Sequence, residues 1–226
     1  MDNKLYWIGF NLVKGIGPVR LQALLDHFGS IQSAWNAHVA DLQAAGLNQK
    51  TIESFLQVRN NQDLAAYYEK ISSEGIQVLC WEDDAYPVRL KNIPHPPPVM
   101  YIRGDLLAED HWAVAIVGTR RVTSYGRQVT EQVAAYLARQ GITVISGLAR
   151  GVDGTAHHTA LQNGGRTIAV LGCGVDQIYP PEHRQLADKI LQNGAIISDY
   201  PPGTPPDAVN FPPRNRLISG LSAAVV

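Results

Sequence analysis

The sequence has little cysteine, no long apolar run and almost no net charge, and each shortage excludes a class of protein. Cys80 and Cys173 are its two cysteines. They stand far apart, and neither lies in a C-x-x-C or beside a histidine at ligand spacing. A disulfide scaffold and a structural zinc site are therefore not expected, and the thiols read as reduced and intracellular. No stretch approaches the roughly 20 apolar residues of a membrane span. The opening MDNKLYW has no basic region followed by an apolar run, so a cytoplasmic protein with no membrane partner is expected. A formal net charge of −1 over 226 residues excludes a uniformly basic nucleic-acid coat, so any anion site must be local. G-x-G-x-x-G is missing, Gly118 being followed next by Gly126, and so is G-x-x-x-x-G-K-[ST]. A dinucleotide site and a P-loop NTPase drop out with them.

What is present is organised around Val114 to Gly154. Ala113–Val117 is too short for a buried helix and β-branched enough for a central strand. From Ser124 a helical period takes over, with Val129, Val133, Tyr136 and Leu137 on one face and Gly141 at the position of a C-terminal cap. Ile142–Ile145 is a second strand. Strand, helix and strand at this length make a right-handed crossover between parallel strands. Ligands of such sheets sit beyond the carboxyl ends of the strands. Both ends carry a glycine and an arginine, Gly118 with Arg120 and Gly147 with Arg150.

The rest of the chain extends this unit. Residues 1–75 read as an all-helical domain. Its Gly15-Ile16-Gly17-Pro18 turn resembles a helix-hairpin-helix, with a weaker echo at Ala45-Gly46-Leu47, though a plain tight connection explains it as well. Residues 76–110 read as a cover added to the core, with a strand at Ile76–Leu79, a turn at Tyr86–Leu90 and a further extended run at Val99–Ile102. Later strands are expected at Thr167–Leu171 and Ala195–Ser198, with helices over Thr155–Asn163 and Glu182–Gln192. Ala223–Val226 has the look of a buried strand in which the chain stops, so a sheet cut short at its carboxyl end is expected. The fold class is α/β, an extended Rossmann-like parallel sheet spanning residues 76–226 behind a small helical domain.

Phosphate recognition needs small residues where backbone amides approach, and cations nearby. Gly118-Thr119, Ser146-Gly147 and Gly172-Cys173-Gly174 supply the first. Arg120, Arg121, Arg150, Arg214 and Arg216 supply the second, Lys189 being the one lysine beyond Lys91. The planar guanidinium suits bidentate phosphate contacts and stacking on bases. Phe211 is the favoured stacking face over Tyr125, Tyr179 and Tyr200. Catalytic readings are weaker. His157 and His158 point to different faces with no third ligand, Asp153 and His157 read as a structural pair, and no serine sits in a G-x-S-x-G elbow. No catalytic residue, metal or cofactor is expected, although a nucleotide-processing enzyme on a Rossmann-like fold stands as the alternative.

Six blocks then carry a specific resemblance: YPVRLKNIPHPPPVMYIRGD from Tyr86, GTRR at Gly118, SGLARGVDGTAH from Ser146, AVLGCGVDQIYPPEH from Ala169, SDYPPG from Ser198 and NFPPRNRLISGLS from Asn210. In this order they resemble the signature blocks of the DNA-processing protein A (DprA/Smf) family. Thr119 stands where the family usually has serine and Asp199 where it usually has glutamate. The resemblance implies a single-stranded DNA-binding protein that protects incoming DNA and loads the RecA recombinase in natural transformation, without turnover. It implies a homodimer whose contacts lie beyond Val226, where the sheet continues and a winged-helix domain often follows. By position, Gly118, Thr119 and Arg120 would hold one phosphate. Ser146, Gly147 and Arg150 would line the same pocket, with Gly172 and Gly174 closing it. Phe211 and Arg214 would meet the strand at the rim, braced by Asn215 and Arg216.

Overall fold

The computed structural model describes residues 3–226, so the first two residues of the stretch read for a leader lie outside the described residues. Six helices come first: α1 (Asn3–Leu12), α2 (Pro18–Phe28), α3 (Ile31–Asn36), α4 (Val39–Ala44), α5 (Gln49–Asn61) and α6 (Leu64–Ser73). Their starts are written in local chemistry. Pro18 fills the first turn of α2, where its missing N–H costs nothing. Ser30, Asn48 and Asp63 cap α3, α5 and α6 by accepting the amides of Ser33, Thr51 and Ala66 at 3.1, 2.9 and 3.0 Å. In the Gly15 turn the Arg20 guanidinium donates to the Gly15 carbonyl, so one of the two local cations, beside Lys14, is spent on the turn itself.

The remainder alternates: β1 (Ile76–Cys80), α7 (Val88–Lys91), β2 (Val99–Gly104), β3 (Val114–Ala115), α8 (Ser124–Arg139), β4 (Val144–Ser146), α9 (Val152–Gln162), β5 (Thr167–Val170), α10 (Arg184–Ile190), β6 (Gly194–Ser198), α11 (Phe211–Leu221) and β7 (Ala224–Val225). The strands form one sheet in the order β1-β2-β6-β5-β4-β3-β7. From β6 to β7 every pairing is parallel, while β2 is antiparallel to both β6 and β1. The cover segment is thus a hairpin-like edge built onto a parallel core.

Side-chain alternation assigns each strand to two interiors. Met100, Ile102, Ile168, Val170, Ala195 and Ile197 point to the face covered by α7 and α11. Val99, Tyr101, Ala169 and Ile196 point the other way, into an interior continuous with the helices of residues 1–75. There Phe10 meets Trp35 edge-on at 5.1 Å and stacks on Phe55 at 5.5 Å. Tyr101 donates to Asn11 at 2.9 Å, and the Lys4–Asp83 ion pair closes the same seam at 3.1 Å.

Two expectations need correction. Helix α8 buries Thr130, Ala134, Leu137 and Ala138, while Val129 and Tyr136 are exposed, so its inward face is turned from the one read above. At the end of α8, Ala138 lies against the place where a Cβ on Gly165, just past α9, would sit, so only a small side chain fits at that point. The run Ala223–Val226 does form a strand beside β3, but its residues are exposed and not buried.

Candidate anion site at the strand ends

The carboxyl ends of β3 and β4 and the first turns of α11 enclose a cavity of about 510 Å³, lined by Gly118, Arg120, Phe211, Arg214, Asn215 and Arg216 among others. Thr119 shapes the loop after β3. Its hydroxyl accepts the Arg121 amide at 3.1 Å and its carbonyl accepts the Val152 amide at 3.2 Å. Gly118 must lack a Cβ because Val152 of α9 packs against it, at 2.7 Å from where that atom would stand. The loop therefore rests on the first turn of α9 and presents exposed Arg120 and Arg121 outward. The Arg120 guanidinium lies over the Phe211 ring at 5.4 Å, and Tyr179 supports that ring at 5.7 Å between centroids. A cation and a half-buried aromatic face stand side by side at the mouth.

Arg214 departs from the rim role. It is 4% exposed and donates to the carbonyls of Gly147, at 2.9 Å, and of Val170, so one guanidinium ties together the ends of β4 and β5. Burial holds its pKa below the usual value, and the Asp153 carboxylate opposes that shift. Asp153 in turn does not pair with His157. It accepts the amides of Gly147 and Ala149 at 3.1 and 3.4 Å, so it fixes the loop after β4. Burial raises its pKa, against the pull of Arg214 and of these amides.

Of the other expected residues, Ser146 also turns inward: its buried hydroxyl donates to the Ile116 carbonyl at 2.6 Å. Gly147 is buried against the Arg214 guanidinium, 2.5 Å from where its Cβ would stand. Gly172 lies under Phe211 and the Asn210 carbonyl, whereas Gly174 packs on Pro201 and Gly203 and closes the proline-rich loop, not the pocket. Arg216 donates to Asp199 at 2.6 Å and to the His95 carbonyl. Arg150 lies in the next groove, paired with Glu182 at 2.5 Å. Leu148, inside the SGLARGVDGTAH block, is held at φ +57 with its carbonyl accepting from His183 Nδ1 at 2.8 Å, a strained conformation that the block did not announce.

The groups closest to catalytic chemistry are withdrawn. His157 is fully buried and donates through Nδ1 to Thr167 Oγ1 at 2.7 Å, that hydroxyl spending its own proton on the Val144 carbonyl. Burial lowers its pKa to about 3. Burial likewise raises the Cys173 thiol to about 11, and its Sγ donates to the Gln177 carbonyl.

Fold and site together define a Rossmann-like sheet carrying an arginine-lined pocket at its strand ends. The family model described as DNA recombination-mediator protein A matches residues 77–226, and the chain belongs to this family. It is 43% identical, over its whole length, to the Smf protein of Synechocystis, of which it covers 58%. It is 42% identical to the DNA processing protein DprA of Bacillus subtilis, with 72% of this chain and 54% of that one aligned. The chain thus spans a little over half the length of these relatives. Among solved structures, DprA of Streptococcus pneumoniae superposes with a TM-score of 0.81 at 30% identity, covering 100% of this chain and 77% of that one. DNA processing protein A of Helicobacter pylori, described for its single-stranded DNA binding mode, superposes with a TM-score of 0.60 at 36% identity over 66% and 67%. No helix among the described residues is long and apolar enough to cross a membrane.

Proposed function

We propose that the chain binds single-stranded DNA without sequence preference, through the pocket at the ends of β3 and β4. The observation that carries the reading is Arg120 lying over Phe211 beside the glycine loop, a phosphate cation next to a base-sized aromatic face. Gly118, Thr119 and Arg120 hold a phosphate, Arg121 meets the adjoining one, and Asn215 and Arg216 shape the wall. Delivery of the strand to the RecA recombinase, and pairing of two copies, belong to the same reading of a recombination mediator. The rival, a nucleotide-processing enzyme, finds its best acid–base and nucleophilic candidates buried.

Two outcomes follow. Labelled oligonucleotides titrated across salt should bind more tightly as single strands than as duplex. For strands short enough to fill only the pocket, with about two or three phosphates neutralised, the log–log salt slope should lie at roughly −1.4 to −2.1. Equal affinity for duplex, or no salt dependence, contradicts the reading. Arg120→Ala should lower affinity by about tenfold or more, the loss of a charge-assisted contact of about 1.5–3 kcal/mol. Its melting curve should stay unchanged, because the side chain is exposed. Normal binding by this variant would mean that the pocket has been misplaced.

A further inference from the structure

A second polar groove adjoins the first. Helix α9 packs between α8 and α10, and residues of all three line a valley of about 430 Å³ whose floor is the outer surface of α9. Thr155, His158 and Thr159 line the floor, Arg127 stands on the α8 wall and Lys189 on the α10 wall. Arg150 and Glu182 close the end nearest the strand ends. The two grooves meet at Gly151. It lines the valley, and its missing Cβ would stand 2.8 Å from the Arg120 carbonyl carbon, in the backbone of the pocket loop. No wall of side chains can rise at that junction without displacing the loop.

The valley is lined by three cationic side chains, Arg127, Arg150 and Lys189, against two carboxylates, Glu131 and Glu182. One carboxylate is committed to one cation: Glu182 accepts from Arg150 at 2.5 Å, and both side chains are about half exposed, 50% and 54%. Water reaches both partners, so the pair is screened and exchangeable. A carboxylate held by a guanidinium at the head of a cationic groove occupies the position that a phosphate would take.

We propose that a strand bound in the pocket continues across Gly151 into the valley between α8 and α10, where a backbone phosphate displaces Glu182 from Arg150. Arg127 and Lys189 then follow the next phosphates along the walls. This rests on the single-stranded DNA reading of the pocket and extends it from one subsite to a path. Glu182 acts as an internal competitor that weakens binding to any strand long enough to reach it. A strand confined to the pocket does not meet it.

The test uses oligothymidylates of about 4 and about 16 nucleotides, the range over which strand-tracking grooves fill. Arg127→Ala with Lys189→Ala should weaken the long oligomer by about tenfold and make its salt slope shallower by about 1.4, with the short oligomer unchanged. Glu182→Gln should tighten the long oligomer by roughly two- to fivefold. The gain should vanish in an Arg150→Ala background and be missing from Asp188→Asn, which removes the same charge outside the valley. Equal behaviour of valley variants and unaltered protein at both lengths, with Arg120→Ala weakening both, overturns the path and leaves the pocket standing. Valley variants that weaken the long oligomer while Arg120→Ala binds normally refute the pocket and support the valley. A neutral or weakening Glu182→Gln, or an equal gain from Asp188→Asn, overturns the exchange at Arg150.

Discussion

Arg214→Ala should lower the melting temperature by about 6 to 20 °C and abolish DNA binding with it. The side chain is buried, and its loss strands the carbonyls of Gly147 and Val170 in the interior. It also removes the positive neighbour of Asp153, whose carboxylate is itself buried. Breaking a buried charge arrangement by deleting one partner costs about 3–5 kcal/mol. In a chain of this size each kcal/mol moves the midpoint by roughly 2–4 °C. Thermal melting of the variant beside Arg120→Ala checks the assignment, because two arginines in one cavity should behave oppositely. One should lose stability and binding together, the other binding alone. Coincident melting curves for the two variants would show that Arg214 is not the tie between β4 and β5.

Gly151→Ala is expected to be the most damaging single methyl group near the site. Its backbone lies at φ +79, a region L-residues rarely adopt, which costs about 1–3 kcal/mol. The new Cβ would also press on the Thr119 carbonyl and stand 2.9 Å from the Arg120 Cα, both in main chain. The loop that presents Arg120 has to move, so affinity should fall by at least as much as in Arg120→Ala, although no charge is lost. Gly164→Ala is the control: it too has positive φ, at +72, but nothing lies within 4 Å of its Cβ position. It should share the strain and spare the binding. Equal affinity for Gly151→Ala and the parent protein would free the loop from this contact.

The strands of the core were legible because each is a short β-branched or apolar run that ends in glycine, serine or a charged residue. Helix starts such as those at Pro18, Asn48 and Asp63 rest on chemistry that acts within four residues, which is why residues 1–75 could be read as helical. The inward face of α8 was misread because bulk was taken for burial. Val129 and Tyr136 are apolar and exposed, whereas the face turned inward is carried by Thr130, Ala134, Leu137 and Ala138. Arg120 is far in sequence from Phe211 and Arg216, and all three line one cavity in the folded chain. Arg214 and Ser146 instead turn inward to main-chain carbonyls, which was not legible, since a sequence marks a residue type and not the direction in which its side chain turns. Asp153 was noticed for its spacing to His157, whereas its partners are amides of a loop whose path only the folded chain defines.

The change from helical pattern to strand pattern near residue 75 invites a cut there, and the interior argues otherwise. Val78, Val99 and Tyr101 on the sheet share one apolar cluster with Leu5, Phe10 and Phe55 on the helices. The helices supply much of that cluster and the sheet the rest, so the change of chain pattern is not a break in the apolar interior. Excising the helices would leave aliphatic and aromatic surface bare on the sheet, at Val78, Val99 and Tyr101. The same cluster takes in Leu148 and Cys173, so the loops at the strand ends stand on an interior that the amino-terminal helices help to close.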